Sequence, residues 1–305
     1  MDKLIEINNL NKKYNNAKAL DNLNFNLYDG DIYGLVGSNG AGKSTLLKII
    51  AGHIEKDSGD ILVFGKNLEE DFKIRNSFGF LIEEAALYSY FTGMRNLQYI
   101  AELKGIKLPD ETIEIAKIFK IDNALNKKVK AYSTGMKQRL GIVAALMNRP
   151  RVLILDEPIN GLDPEGIVDL RNFLVKINKE WNTTIVISSH ILNELSLVAN
   201  RIGFIKRGQM LEEITREELE SKVKDYIKIV GDSENLNKIV NILEENLNIN
   251  NFKIMANQEI RVYEDVEILK IQKEMAKHNI YLNEIYHQKS TLEEYYVKLM
   301  GGQNA

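Results

Sequence analysis

The sequence contains no cysteine. Disulfides and thiolate metal sites are therefore excluded, which fits a reducing compartment. Net charge is also scarce: 40 Lys and Arg against 43 Asp and Glu leave −3 at pH 7. No basic tract marks a nucleic-acid surface, so no nucleic acid is expected as a partner. Long apolar runs are missing too. Ile142–Met147 is among the longest, and Lys48 interrupts the stretch Leu46–Ala51, whereas a membrane-crossing helix needs ~18 such residues. The first residues, Met1 to Ile7, are charged and alternating, without the apolar stretch of a secretory signal. No internal repeat, sustained heptad or low-complexity linker is visible. These absences predict a soluble chain that reaches a membrane only by docking.

What is present is an ordinary globular composition, 44% hydrophobic and 27% charged over 305 residues. That suffices for one large domain or two smaller ones. Leu4, Ile5 and Ile7 predict a strand, as do Leu23, Phe25 and Leu27. Ile32–Val36 is a short apolar strand entering a Gly-rich turn, and Ser44 to Ile50 reads as a helix. Ile61–Phe64 and Phe78–Ile82 predict further strands, and 94–149 is mostly helical by period. Val152–Leu155 and Thr184–Ser188 are apolar without alternation, as buried parallel strands are. Ile202–Ile205 follows, before a turn at Gly208.

The texture changes after about residue 217. Asp225–Val230 predicts a strand, Ser233–Leu247 a helix, and Phe252–Met255 with Ile260–Tyr263 a hairpin. Val266–His278 predicts a second helix and Ile280–Ile285 a last strand. The order is βαββαβ, a split-βαβ or ferredoxin-like arrangement. Ser290 and Glu293 form a capping box that opens a final helix.

Two motifs carry chemistry. Gly37-Ser38-Asn39-Gly40-Ala41-Gly42-Lys43-Ser44 matches G-x-x-x-x-G-K-[ST] at every fixed position. Glycines let backbone N–H groups curl into an anion nest, and the following helix points its positive end at the same place. Lys43 adds a charge for the β and γ oxygens of a nucleoside triphosphate, and Ser44 offers a hydroxyl to Mg²⁺. Chance would give this pattern in about one such chain in a hundred. The second motif is Val152-Leu153-Ile154-Leu155-Asp156-Glu157, a buried strand ending in two acids. An unpaired buried charge costs several kcal/mol, and a metal ion would supply the partner for Asp156. Glu157, one residue on, could take a proton from an attacking water. Alone this motif also fits a plain strand edge with solvated acids.

With these motifs, residues 1–217 strongly resemble the nucleotide-binding subunits of ABC transporters. Ala131-Tyr132-Ser133-Thr134-Gly135-Met136 resembles the family signature LSGGQ. Ser133 and Gly135 keep the expected types, while Tyr132, Thr134 and Met136 depart in the manner of the drug- and peptide-export branch. Taken singly, Ser133 reads as an ordinary N-cap. The resemblance implies an α/β fold, a P-loop NTPase cassette with a RecA-like core, an antiparallel β subdomain and a helical subdomain over about 84–150. A small α+β domain over 218–305 would follow it.

The resemblance also implies site residues. ATP would lie against Tyr14, Gly37, Ser38, Asn39, Gly40, Ala41, Gly42, Lys43, Ser44 and Thr45. Ser133, Gly135 and Asp163 of an opposing subunit would complete the site. Ser44, Asp156 and Glu83 would serve Mg²⁺, with Glu83 standing where the family usually carries Gln. Glu157, His190 and Lys43 would be catalytic. By themselves, Tyr14 reads as a surface aromatic, His190 as a structural strand-end histidine and Glu83 as a solvated loop acid. The implied partners are a second ATPase subunit, the same chain or another, and a membrane permease. The permease would meet an apolar cluster that includes Leu87 and Tyr88. The location implied is cytoplasmic, on the inner face of the membrane. The closing segment from Leu292 to Tyr296 resembles exporters for antibiotics and lantibiotics, bacitracin-type self-resistance included. An importer subunit is the alternative, and an ABC ATPase acting on ribosomes or DNA a more distant one.

Overall fold

A computed structural model describes residues 2–15, 17–83, 85–222, 225–289 and 292–301. The chain forms two compact units, Met1–Arg216 and Glu217–Ala305.

The first unit holds two sheets. One is antiparallel, built from β1 (Lys3–Tyr14), β2 (Ala17–Tyr28), β4 (Ser58–Val63) and β5 (Lys66–Asn67), in the order β2-β1-β4-β5. The other has six strands: β3 (Ile32–Val36), β6 (Phe78–Leu81), β7 (Val152–Asp156), β8 (Thr184–Ser189), β9 (Arg201–Lys206) and β10 (Gln209–Thr215). Their order is β10-β9-β3-β8-β7-β6. Strands β9, β3, β8, β7 and β6 run parallel, and β10 returns antiparallel. Every residue of β3, β7 and β8 is buried, which explains why their centres are apolar without alternation.

Helix α1 (Lys43–Ala51) sits between the two sheets. Its Leu46, Leu47 and Ile50 join Ile7, Phe25 and Val63 of the antiparallel sheet and Ile154 and Val186 of the parallel one in a single core. Phe25 meets Tyr33 of β3 edge to face, with ring centres 4.9 Å apart. Between β6 and β7 run α2 (Gly93–Leu103), α3 (Glu111–Ile118) and α4 (Thr134–Leu146), joined by short 3-10 turns. Helices α5 (Pro164–Trp181) and α6 (Leu192–Ser196) follow β7 and β8. Asp163 starts α5 as its N-cap, with Pro164 in the first turn. Helix α5 was not among the expected elements, although its Asp163–Pro164 start and the helical spacing of Leu170, Phe173, Leu174 and Ile177 mark it; β10 is harder to see. The polar, charged residues of β10 hide a strand that one neighbour, β9, stabilises.

The second unit has four strands in antiparallel pairs: β11 (Asp225–Gly231), β12 (Phe252–Ile254), β13 (Ile260–Val262) and β14 (Leu282–Lys289), in the order β12-β13-β11-β14. Ile227, Ile229, Ile260 and Val262 share a core with Ile239, Leu243, Ile271 and Met275 of the helices. The helix expected over Ser233–Leu247 is broken. A 3-10 turn (Ser233–Asn235) leads into an α-helix (Leu236–Asn241) and a π-turn (Ile242–Asn246). Its wider turn brings Ile242 and Leu243 together into the core. The last strand runs on to Lys289 because β11 pairs with it that far. Ser290 and Thr291 of the expected capping box lie outside the described residues, and a helix covers Leu292–Leu299.

Candidate nucleotide site

Four functional loops leave the same edge of the parallel sheet. They follow the carboxyl ends of β3, β8, β7 and β6, which are neighbours in that order. Register aligns them: Val36 lies beside Ser189, Ser188 beside Asp156, and Leu155 beside Leu81. Such an edge is where open α/β sheets bind ligands.

The loop after β3 forms a cradle. Gly40 and Gly42 take left-handed φ angles of 77° and 113°, which glycine adopts without a Cβ clash. A Cβ on Gly42 would stand 2.7 Å from the Ala19 carbonyl oxygen, and one on Gly37 would stand 2.6 Å from that of Ile205. No side chain caps the N-terminus of α1, so its amides are available to an anion. Ser38, Asn39, Gly40, Ala41, Gly42, Lys43, Ser44 and Thr45 line a cleft of about 270 Å³ with Ala19, Glu157, Asn160 and His190. Ala19 was invisible to motif reading, because only the pairing of β2 brings it there.

Lys43 is 5% exposed. Its ammonium donates to the carbonyls of Gly37 (2.7 Å) and Ser38 (3.4 Å) and lies 3.3 Å from Glu157 Oε1. Glu157 has a left-handed φ of 48°, and its N–H is held by Ser188, through the carbonyl oxygen (3.2 Å) and Oγ (2.9 Å). This turn carries the carboxylate from the strand toward Lys43 and His190. His190 Nδ1 lies 2.9 Å from Glu157 Oε2.

Asp156 is 3% exposed and accepts a hydrogen bond from Ser188 Oγ. Among the described residues it has no basic partner within ion-pair distance. Asp156 is not among the residues that line the cleft, but a buried carboxylate without a cation at this sheet edge suits Mg²⁺ held jointly with phosphate oxygens. Among the described residues no three acids, histidines or cysteines group into a metal site on their own.

Other expected residues lie off this cleft. Tyr14, 47% exposed, ends β1 with the Lys12 ammonium 5.7 Å from its ring centre. Glu83 does not line the cleft, and its carboxylate is taken by Lys48 of α1. Ser133 caps α4, accepting from the Met136 N–H at 3.2 Å. Neither Ser133 nor Gly135 approaches the cradle of its own chain. A Cβ on Gly135 would lie 2.4 Å from the Gly161 carbonyl oxygen, so glycine there lets α4 rest on the loop after β7. The same two segments are tied by Gln138 Nε2, which donates to the Pro158 carbonyl at 3.2 Å, and by Arg139, paired with Asp163. Burial pushes the Asp163 carboxyl up, but the Arg139 guanidinium and the Gly166 amide outweigh it and hold it low. Tyr132, where the signature usually carries Leu, is buried and donates to the Ala124 carbonyl at 2.6 Å. That departure therefore anchors the helical arm.

A second cleft, about 600 Å³, lies beside the arm. Phe80, Ile82, Ala85, Ala86, Leu87 and Leu103 are among its lining residues. Leu87 opens onto it. Tyr88 does not line it, because its ring packs on Phe91 and Tyr99 at 5.2 and 5.1 Å.

The ABC transporter family model matches residues 20–160. The chain is 37% identical over 304 residues to the bacitracin transport ATP-binding protein BcrA of Bacillus licheniformis, covering 99% of each chain. It is 40% identical over 210 residues to the lantibiotic transport ATP-binding protein SrtF of Streptococcus pyogenes, covering 69% of this chain and 90% of that one. Among solved structures it resembles the dimeric, post-hydrolysis ATP-binding cassette MJ0796 bound to ADP and Pi. The TM-score is 0.64 at 26% identity, over 70% of this chain and 98% of that one.

Proposed function

The chain belongs to the ABC transporter family, as an ATP-binding and hydrolysing subunit, and on that premise we propose that it powers export of an antibiotic or peptide through a separate membrane permease. The observation that carries the export reading is likeness over the whole length, second unit included, to a bacitracin transport protein. The test is co-expression with its permease in a sensitive host. Resistance or efflux that needs intact Glu157 supports the reading, and accumulation of the compound would reverse the direction.

In the site we assign, the phosphates of ATP lie in the amides of residues 37–45, with Lys43 on the terminal groups. Ser44 and Asp156 would hold Mg²⁺, which would supply positive charge to the phosphate oxygens. Tyr14 stands at the adenine end. Glu157 receives the proton of the water that attacks the γ-phosphorus, as the bond to ADP breaks. Its left-handed turn, its Ser188 tether and its His190 contact support that role, because they hold the carboxylate in one orientation. His190 also meets the γ-phosphate.

A second subunit, a copy of this chain, contributes Ser133, Gly135 and Asp163. The exposed N-terminus of α4, whose Ser133 and Gly135 do not line the cleft of their own chain, supports that division. Binding then favours the closed pair, and hydrolysis releases it. The apolar cleft beside the helical arm suits an apolar segment of the permease, with Leu87 in contact. No described helix is long and apolar enough to cross a membrane. We place the protein on the cytoplasmic face of the membrane, held there by the permease.

A further inference from the structure

Glu83 follows β6 and takes a left-handed φ of 58°. A non-glycine residue in that region is uncommon and strained. The turn brings the carboxylate back to Lys48, in the last turn of α1. Among the described residues each is the other's only ion-pair partner. A lysine near a helix C-terminus is ordinary, because it complements the helix dipole. That accounts for a lysine in the last turn, but not for its grip on an acid 35 residues later.

Ser44 and Lys48 are four residues apart on α1, so they share one helix face. The pair thus sits one turn from the hydroxyl assigned to Mg²⁺. An extra carboxylate there repels a triphosphate, and repulsion falls only slowly with distance. An ammonium at its side cancels most of it. We propose that Lys48 is a positioning residue for Glu83: it holds the acid beside α1 and neutralises it, so that the pair presents no net charge to Mg²⁺-ATP, as the usual Gln would. This rests on the nucleotide reading of the cradle and explains how an acid is tolerated there.

The test is a double-mutant cycle on the full chain: parent, Lys48→Ala, Glu83→Gln and the double variant, with Lys48→Arg as the conservative control. Affinity for a non-hydrolysable ATP analogue is measured by calorimetry with and without Mg²⁺. Melting temperatures confirm that each variant is folded. Lys48→Ala should weaken binding roughly 2- to 5-fold, in the range of exposed ion pairs. In the Glu83→Gln background the same change should cost less than about 1.5-fold, and Lys48→Arg should bind as the parent does. An equal loss in both backgrounds would mean that Lys48 acts on the phosphates or the helix directly, and would overturn the proposal. So would no loss in either. A parent that binds no ATP, whatever stands at Lys43, would overturn the nucleotide reading itself and this one with it.

Discussion

His190 Nδ1 lies 2.9 Å from Glu157 Oε2, while the other oxygen of that carboxylate faces the Lys43 ammonium at 3.3 Å. Three loops, from β3, β7 and β8, therefore converge on one acid. Glu157→Gln keeps the shape and removes the base. It should bind ATP and form a stable dimer, with turnover reduced about 10²- to 10⁴-fold. Phosphate release and size-exclusion chromatography with ATP measure both. Parent-like turnover would assign the base to another group.

Gly135 touches the backbone of Gly161 with no room for a methyl group. Gly135→Ala should move α4 off the loop after β7. Gly135 does not line the cleft, but Asn160 beside Gly161 does, so ATP binding by the monomer should change less than assembly. ATP-driven dimerisation and hydrolysis should fall at least about tenfold, the effect of ~1.4 kcal/mol on assembly. Calorimetry and sedimentation separate the two steps. Unchanged dimerisation would remove the signature segment from the subunit interface.

Leu87 lines the cleft beside the arm, and Tyr88 does not. Leu87→Asp places a charge where an apolar segment would sit. Co-purification with the permease should be lost, while ATP binding by the isolated subunit stays. Tyr88→Ala should instead lower the melting temperature, by the cost of unpacking a half-exposed ring, about 1 kcal/mol. Intact co-purification of the Leu87 variant would place the permease elsewhere.

Tyr33 of β3 donates to Glu213 of β10 at 2.6 Å. Burial raises the Glu213 carboxyl above its ordinary value, more than the Tyr33 hydrogen bond lowers it. The folded state therefore binds this proton more tightly than the unfolded one. Its contribution to stability is full below the unfolded pKa and is lost as pH rises through the folded one. Glu213→Gln does not titrate. The melting temperature of the parent should rise relative to this variant as pH falls from 7 toward 4.5, the ordinary value. A difference flat in pH would show that the carboxyl is not perturbed.

The local motifs were legible because their chemistry is local. Gly37 to Ser44 is one continuous stretch whose glycines, lysine and hydroxyl share a single turn and helix start, so spacing alone reports the cradle. Val152–Leu155 was legible because the body of a strand buried on both faces is apolar without alternation. The polar strand β10 was not, because its formation depends on pairing with β9 more than on pattern, whereas α5 had a legible cap and apolar spacing that went unread.

By itself, then, the sequence determined the phosphate cradle, the acids at the end of a buried strand and the class of fold, since each is written in contiguous residues. Only the tertiary structure decided which acid faces what. Glu157 turns toward Lys43 and His190, Asp156 stays beneath Ser188, and Glu83 goes to Lys48. Tyr132 belongs to the arm, and Ala19 to the cradle. These are contacts between residues far apart in the chain, and a side chain's charge acts through space, not along the sequence.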